Sequence, residues 1–253
     1  MKISMVKNIF ALGLAIVLSL GSCARGEKQE ATPSAEPESV STVETTPLKV
    51  SVLGDSYSTF EGWIPEGYIA WYKPVPKPGR PTDVTDVEQT WWKKLIEESG
   101  YELEVNDSYS GATVCNTGYS GADYSDRSFV NRTDRLGNPD IILVFGGTND
   151  AWANSPLGDY VWSGWTDRQL YSYRPAAAKM LDSLQTLHPD AEIVVIINDD
   201  INDDIKNSTR EICEHYGVEY VQLEGIEKMS QHPSAKGMQS IVEQVRPKIH
   251  KHI

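Results

Sequence analysis

Leu48-Lys49-Val50-Ser51-Val52-Leu53-Gly54-Asp55-Ser56 is a short β-type run that stops at a glycine and delivers a serine. A strand ending this way lifts a hydroxyl to the rim of a sheet, where open α/β folds keep their sites. A serine there is a candidate nucleophile if the chain also supplies a base, an oxyanion hole and an acid to orient the base.

Further along, β-type runs at 102–106, 141–145, 192–197 and 219–223 alternate with helical patterns at 87–99, 167–187, 203–216 and 234–246. Ile141-Ile142-Leu143-Val144-Phe145 has no polar alternation, as expected of a parallel strand covered on both faces. Alternating strands and helices predict an α/β fold, a three-layer α/β/α sandwich with right-handed crossovers.

Two long irregular stretches, 57–86 and 151–166, leave the C-terminal edge of that sheet. They carry Trp63, Trp71, Trp152, Trp162 and Trp165, five of the seven tryptophans. Such loops either stack on sugar rings or cover acyl chains at a site mouth, or form a satellite core that stiffens them.

The N-terminal region reads differently. Lys2 and Lys7 precede an apolar stretch, Ile9 to Leu20, which is short for a membrane span and suits a signal peptide. Leu20-Gly21-Ser22-Cys23 resembles the lipobox of bacterial lipoproteins, which implies that residues 1–22 are removed and Cys23 is lipidated. Residues 23–47 are rich in Glu, Ser, Thr and Pro and read as a disordered tether. Residues 48–253 remain as one domain with a full core. The expectation is an exported protein held to the cell envelope by its N-terminal lipid alone.

The net charge is −13, and loss of Lys2 and Lys7 would make it more acidic still. Such a surface repels phosphate backbones, which argues against nucleic acid as a partner. Beyond Cys23 there are two cysteines, Cys115 and Cys213, read as either a disulfide or two buried thiols. No Cys/His spacing suggests a metal, and none is expected.

Gly146-Gly147-Thr148-Asn149-Asp150 closes the third strand, and an Asn amide there can donate to an oxyanion. Gly111, after the second strand, can offer a backbone N–H. Five histidines compete as base. His188 falls on the far edge of the sheet, His215 lies within a helix, and His250 and His252 belong to the tail. His232 alone follows the fifth strand on the serine's edge.

Together these blocks resemble the SGNH hydrolases, also called GDSL esterases or lipases. Gly54-Asp55-Ser56-Tyr57-Ser58 is similar to their first block, Asn106 to Gly111 to the second, Gly147-Thr148-Asn149-Asp150 to the third, and His232-Pro233-Ser234 to the last. The resemblance implies a flavodoxin-like five-stranded parallel sheet and a serine esterase without cofactor. It implies Ser56 as nucleophile, His232 as base, and Ser56, Gly111 and Asn149 as the oxyanion hole.

The chain departs from the pattern at one position. Met229 stands where the family usually has an aspartate, three residues before the histidine. A backbone carbonyl could replace that acid and leave a Ser–His dyad, the preferred reading. Glu224 or Glu227 could reach the ring, or Asp199 or Asp200 could do so from strand four, where the acidic run otherwise reads as helix capping.

The expected activity is hydrolysis of short acyl esters, acetyl above all, on carbohydrate, by a monomer. Other readings of the same residues are a lipase or lysophospholipase, an acyltransferase between sugars, and a glycan-binding lipoprotein without catalysis.

Overall fold

The computed structural model describes residues 46–251. The expected signal peptide, Cys23 and most of the tether lie outside them, as does His252. Five parallel strands, β1 (Lys49–Gly54), β2 (Glu102–Ser108), β3 (Ile141–Phe145), β4 (Glu192–Ile197) and β5 (Glu219–Gln222), pair in the order β2-β1-β3-β4-β5. A two-residue antiparallel hairpin, β6 (Lys228–Met229) with β7 (His232–Pro233), follows. The helices are α1 (Trp91–Ser99), α2 (Thr148–Ala153), α3 (Tyr173–Leu187), α4 (Asp203–Tyr216) and α5 (Ala235–Val245). This is the expected three-layer sandwich.

The uninterrupted apolar strands follow from two-sided burial. Ile142 and Val144 enter one core with the buried faces of α3 and α4, including Leu181 and Ile212. Ile141, Leu143 and Phe145 enter the other, with Leu95, Ile241 and Val245 of α1 and α5. Each such side chain contributes about 1.5–3 kcal/mol on burial.

Two predicted helices are shorter than the sequence suggested. Residues 87–99 divide because Asp86 and Gln89 form a capping box that closes a separate 3₁₀ turn, after which Thr90 is extended. Residues 167–187 divide at extended Ser172. Pro175 is the reason: inside one continuous helix it would lack the N–H owed to residue 171 and clash with that carbonyl. The segment after β3, read as a turn and then irregular chain, instead opens with α2. Its glycine cap, Gly147, has φ 86°. Cys115 and Cys213 are buried free thiols, not a disulfide.

Candidate active site

The chain is crowded at Gly54, where β1 ends, and only a glycine fits. A Cβ on Gly54 would lie 2.4 Å from Ser108 Oγ and 2.7 Å from Ser58 Cβ. Asp55 then caps a 3₁₀ turn, Ser56–Ser58, by accepting the Tyr57 N–H at 3.0 Å. Asp55 is therefore a scaffold group. Burial pushes its carboxyl up to about 7, opposed by that N–H.

The histidine arrives from the hairpin. Ser230 (φ 50°) and Gln231 (φ 66°) are both left-handed, the signature of a tight primed turn. Three bonds hold this hairpin against the 57–86 loop: Tyr57 Oη donates to Gln231 O at 2.6 Å, Tyr72 Oη to Pro233 O at 2.8 Å, and Ser230 Oγ to Pro81 O at 2.9 Å. They set His232 Nε2 2.8 Å from Ser56 Oγ. Nδ1 faces the Ser230 carbonyl at 3.1 Å. A carbonyl only accepts, so Nδ1 carries the proton and the Nε2 lone pair is free to accept from Ser56.

None of the four candidate carboxylates contacts the ring. Glu227 accepts from Ser234 Oγ at 2.7 Å and pairs with Lys236 at 3.3 Å. Asp199 pairs with Lys228 and accepts the Ile226 N–H, while Asp200 is exposed. Glu224 is exposed, with its backbone tied to Gln244. The acidic run serves capping: Asn202 caps α4, and Asp203 and Asp204 fill its first turn.

Aromatic rings surround the imidazole instead. The Trp71 indole stacks on it at 3.5 Å between centroids and 6° between planes. Tyr57 lies tilted at 5.0 Å, and Trp152 edge-on at 6.0 Å. His232 is lowered to about 4, chiefly by burial; the Ser230 carbonyl opposes this, and the Arg80 and Lys228 cations add to it.

Of the expected oxyanion donors, the backbone N–H groups of Ser56 and Gly111 have no hydrogen-bond partner among the described residues. Gly111 has φ 85° and opens onto free space. Asn149 commits one amide N–H to Ala112 O at 2.9 Å and points the other toward Asp55 Oδ2 at 3.4 Å. That second contact is longer than a well-formed N–H···O bond, so this hydrogen is weakly engaged. Tyr119 Oη donates to Asn149 Oδ1 at 2.7 Å and fixes the amide's orientation from the open side.

Buried charge supports the loops. Asp150 accepts the N–H groups of Val114 (2.7 Å) and Cys115 (3.1 Å). Arg132, 0% exposed, pairs with Asp107 at 3.2 Å and donates to Gly54 O at 3.2 Å, behind the nucleophile. Sequence reading missed Trp71 as a partner of the base, and also Tyr119, Arg132 and the Ser230 carbonyl. Only the tryptophan-rich loop hinted at any of them, through Trp71.

The site opens into a cleft of about 830 Å³ lined by Trp71, Gly79, Arg80, Tyr119, Trp152 and the 230–232 turn. Trp63 packs on Trp92, and Trp162 on His215, so these two form satellite clusters while Trp71 and Trp152 face the site. His188 lies at the opposite end of the sheet, beside Glu192 and His250.

Residues 48–249 match the family model described as GDSL-like lipase/acylhydrolase. Two solved structures described as GDSL-like lipases are similar along most of the domain. One, from Bacteroides ovatus, is 51% identical (TM-score 0.78, 80% of this chain and 98% of that one). The other, from Bacteroides uniformis, is 53% identical (TM-score 0.78, 80% and 95%). An acetyl xylan esterase from Butyrivibrio proteoclasticus, at 18% identity, TM-score 0.50 and coverage of 81% and 64%, shares the fold. Among curated proteins none matches.

Proposed function

The chain belongs to the GDSL-like lipase/acylhydrolase family and is an ester-cleaving hydrolase, and from that premise we propose that it removes short acyl groups, acetyl above all, from carbohydrates through a Ser56–His232 dyad. The observation that carries the mechanism is the relay Ser56 Oγ, His232 Nε2, His232 Nδ1, Ser230 O, with both links within hydrogen-bond reach.

Ser56 Oγ attacks the ester carbonyl as His232 Nε2 takes its proton. The oxyanion is held by the N–H groups of Ser56 and Gly111 and by the loosely engaged second N–H of Asn149. His232 then protonates the leaving alcohol, and water repeats the sequence to release the acid. In serine proteases, turning the triad aspartate into its amide costs about 10⁴-fold, mainly by leaving the wrong tautomer. The Ser230 carbonyl fixes the right tautomer without a carboxylate. It lacks a full negative charge, so the imidazolium is held less strongly than in a triad.

The short acyl preference rests on the cleft lining. It offers aromatic and polar groups but no aliphatic side chain for a long acyl tail. Trp152 and Tyr119 present rings on which a sugar can stack.

The test is a panel of acetylated oligosaccharides, aryl acetates and long-chain acyl esters, with Ser56→Ala as control. Acetylated sugars should be preferred, and Ser56→Ala should lose about 10⁴-fold or more in kcat. Preference for long-chain esters would overturn the substrate, and an active Ser56→Ala the nucleophile.

A further inference from the structure

Charge along the 57–86 loop runs against the rest of the protein. The chain carries −13, yet residues 67–82 hold Lys73, Lys77 and Arg80 and no acid. Pro74, Pro76, Pro78 and Pro81 stiffen this strap, since each fixes its own φ. Among the described residues, none of the three cations makes a salt bridge or a side-chain hydrogen bond, although acidic groups outnumber basic ones over the whole chain. The acid closest to them in sequence, Asp83, is engaged with the Ala235 N–H of α5 at 2.8 Å.

Arg80 is the cation that reaches the site. Its guanidinium carbon lies 4.8 Å from the Trp71 ring centroid, and that ring is the one stacked on His232. It lines the same cleft as His232, and no carboxylate does so. Lys73 and Lys77 line a second cleft along the strap, of about 520 Å³, which also carries Glu61 and Glu66. A guanidinium over an indole face, with none of its N–H groups engaged by the described residues, keeps its fork free, and that fork grips a planar carboxylate with two parallel bonds.

We propose that Arg80 is an anion-reading subsite, and that the ester is carried on an acidic glycan whose uronic acid carboxylate docks on this guanidinium. The inference rests on the reading of the site as a glycan esterase and narrows its substrate. It accounts for an unpaired cation beside the base in an acidic protein: a surface of one sign with a local patch of the other steers and orients a charged ligand. It also has a catalytic consequence. The Arg80 cation opposes protonation of His232. A carboxylate that neutralises Arg80 relieves this opposition as the imidazolium forms, so the charged substrate gains in kcat as well as in KM.

Four substrates test the proposal with the full chain: an aryl acetate, a neutral acetylated oligosaccharide, an O-acetylated oligouronate, and the same oligouronate with its carboxyls methyl-esterified. The free acid should exceed the methyl ester in kcat/KM by about ten-fold, a margin that shrinks as salt screens the contact. Arg80→Gln should bring that ratio close to one, and Arg80→Lys, which keeps the charge without the fork, should retain part of it. A ratio near one in the parent protein, or a ratio that survives Arg80→Gln, overturns the subsite. If the aryl acetate is cleaved and neither oligouronate is, while neutral acetylated sugars are, the subsite falls and the glycan-esterase reading stands. If no acetylated sugar is cleaved, both fall.

Discussion

His232 shows how one residue's surroundings set a reaction's pH range. The ring must be neutral to accept the Ser56 proton, so activity is present above its pKa and lost as pH falls through it. With the imidazole lowered to about 4, kcat/KM should hold through weak acid and reach half its plateau near that value, well below the 6.5 of an ordinary histidine. A pH–rate profile on an aryl acetate reads this directly. Burial is the largest cause, and the stacked Trp71 indole covers one face of the ring. Trp71→Ala should therefore move the kinetic midpoint up toward 6.5 and lower the plateau; a midpoint that stays put would refute the link. At Asn149 the expected loss on Asn149→Ala is about 10²–10³-fold in kcat, as for a single oxyanion donor. Ser56, Gly111 and Asn149 could be singled out because each sits in a short local pattern at a strand's end, and His232 because it alone of the five histidines follows the fifth strand on the serine's edge. Trp71 and Ser230 could not, because stacking and a carbonyl's direction are set by the fold that brings residues 71 and 232 together.

Among the elements, the hairpin β6–β7 places the base. Its turn demands positive φ at Gln231, where proline, locked near −65°, does not fit. Gln231→Pro should lose activity by about a hundred-fold or more, as expected when a catalytic group is displaced by an ångström. Gln231→Gly suits the turn and keeps the backbone carbonyl that accepts Tyr57 Oη, so it should remain active. Initial rates and circular dichroism on both variants separate misplacement from unfolding; a fully active Gln231→Pro would show that the turn does not set the histidine. The strands were readable because β-branched runs covered on both faces have no other good home. The helices were readable in period but not in extent. Pro175 and the Asp86–Gln89 box cut two of them, and both signals were present in the sequence but outweighed by the apolar period. The hairpin itself was invisible, since Met229-Ser230-Gln231-His232 contains neither the Asn nor the Gly that usually announces such a turn.

At the scale of the whole molecule, buried titratable groups tie stability to pH. Asp55, raised to about 7, and Asp150, raised to about 6, both start from 3.8 and owe the rise chiefly to burial. Each contributes stability that is full below the unfolded value and lost as pH rises through the folded one. His232, lowered to about 4 from 6.5, works the other way: its contribution is lost as pH falls from 6.5 toward 4. Between about pH 4 and 6 the folded protein thus keeps two carboxyl protons that the unfolded chain has released. It lacks one imidazole proton that the unfolded chain has taken up. Among these three groups the balance is one proton in favour of the native state, so together they lower stability as pH rises, by on the order of 1.4 kcal/mol per pH unit, and Asp107, also raised by burial, acts in the same direction. Repulsion across a chain of net charge −13 acts in the same direction. Thermal unfolding should accordingly give a higher Tm at pH 5 than at pH 8. Asp55→Asn separates the two causes. It removes one carboxyl titration, leaving Asp150 and His232 to offset each other below pH 6, while the surface charge is unchanged. The Tm of this variant should vary much less between pH 4 and 6 than that of the parent. A parent Tm that climbs from pH 5 to pH 8, or an Asp55→Asn slope equal to the parent's, would show that the carboxylate behind the nucleophile does not govern the acid preference of the fold.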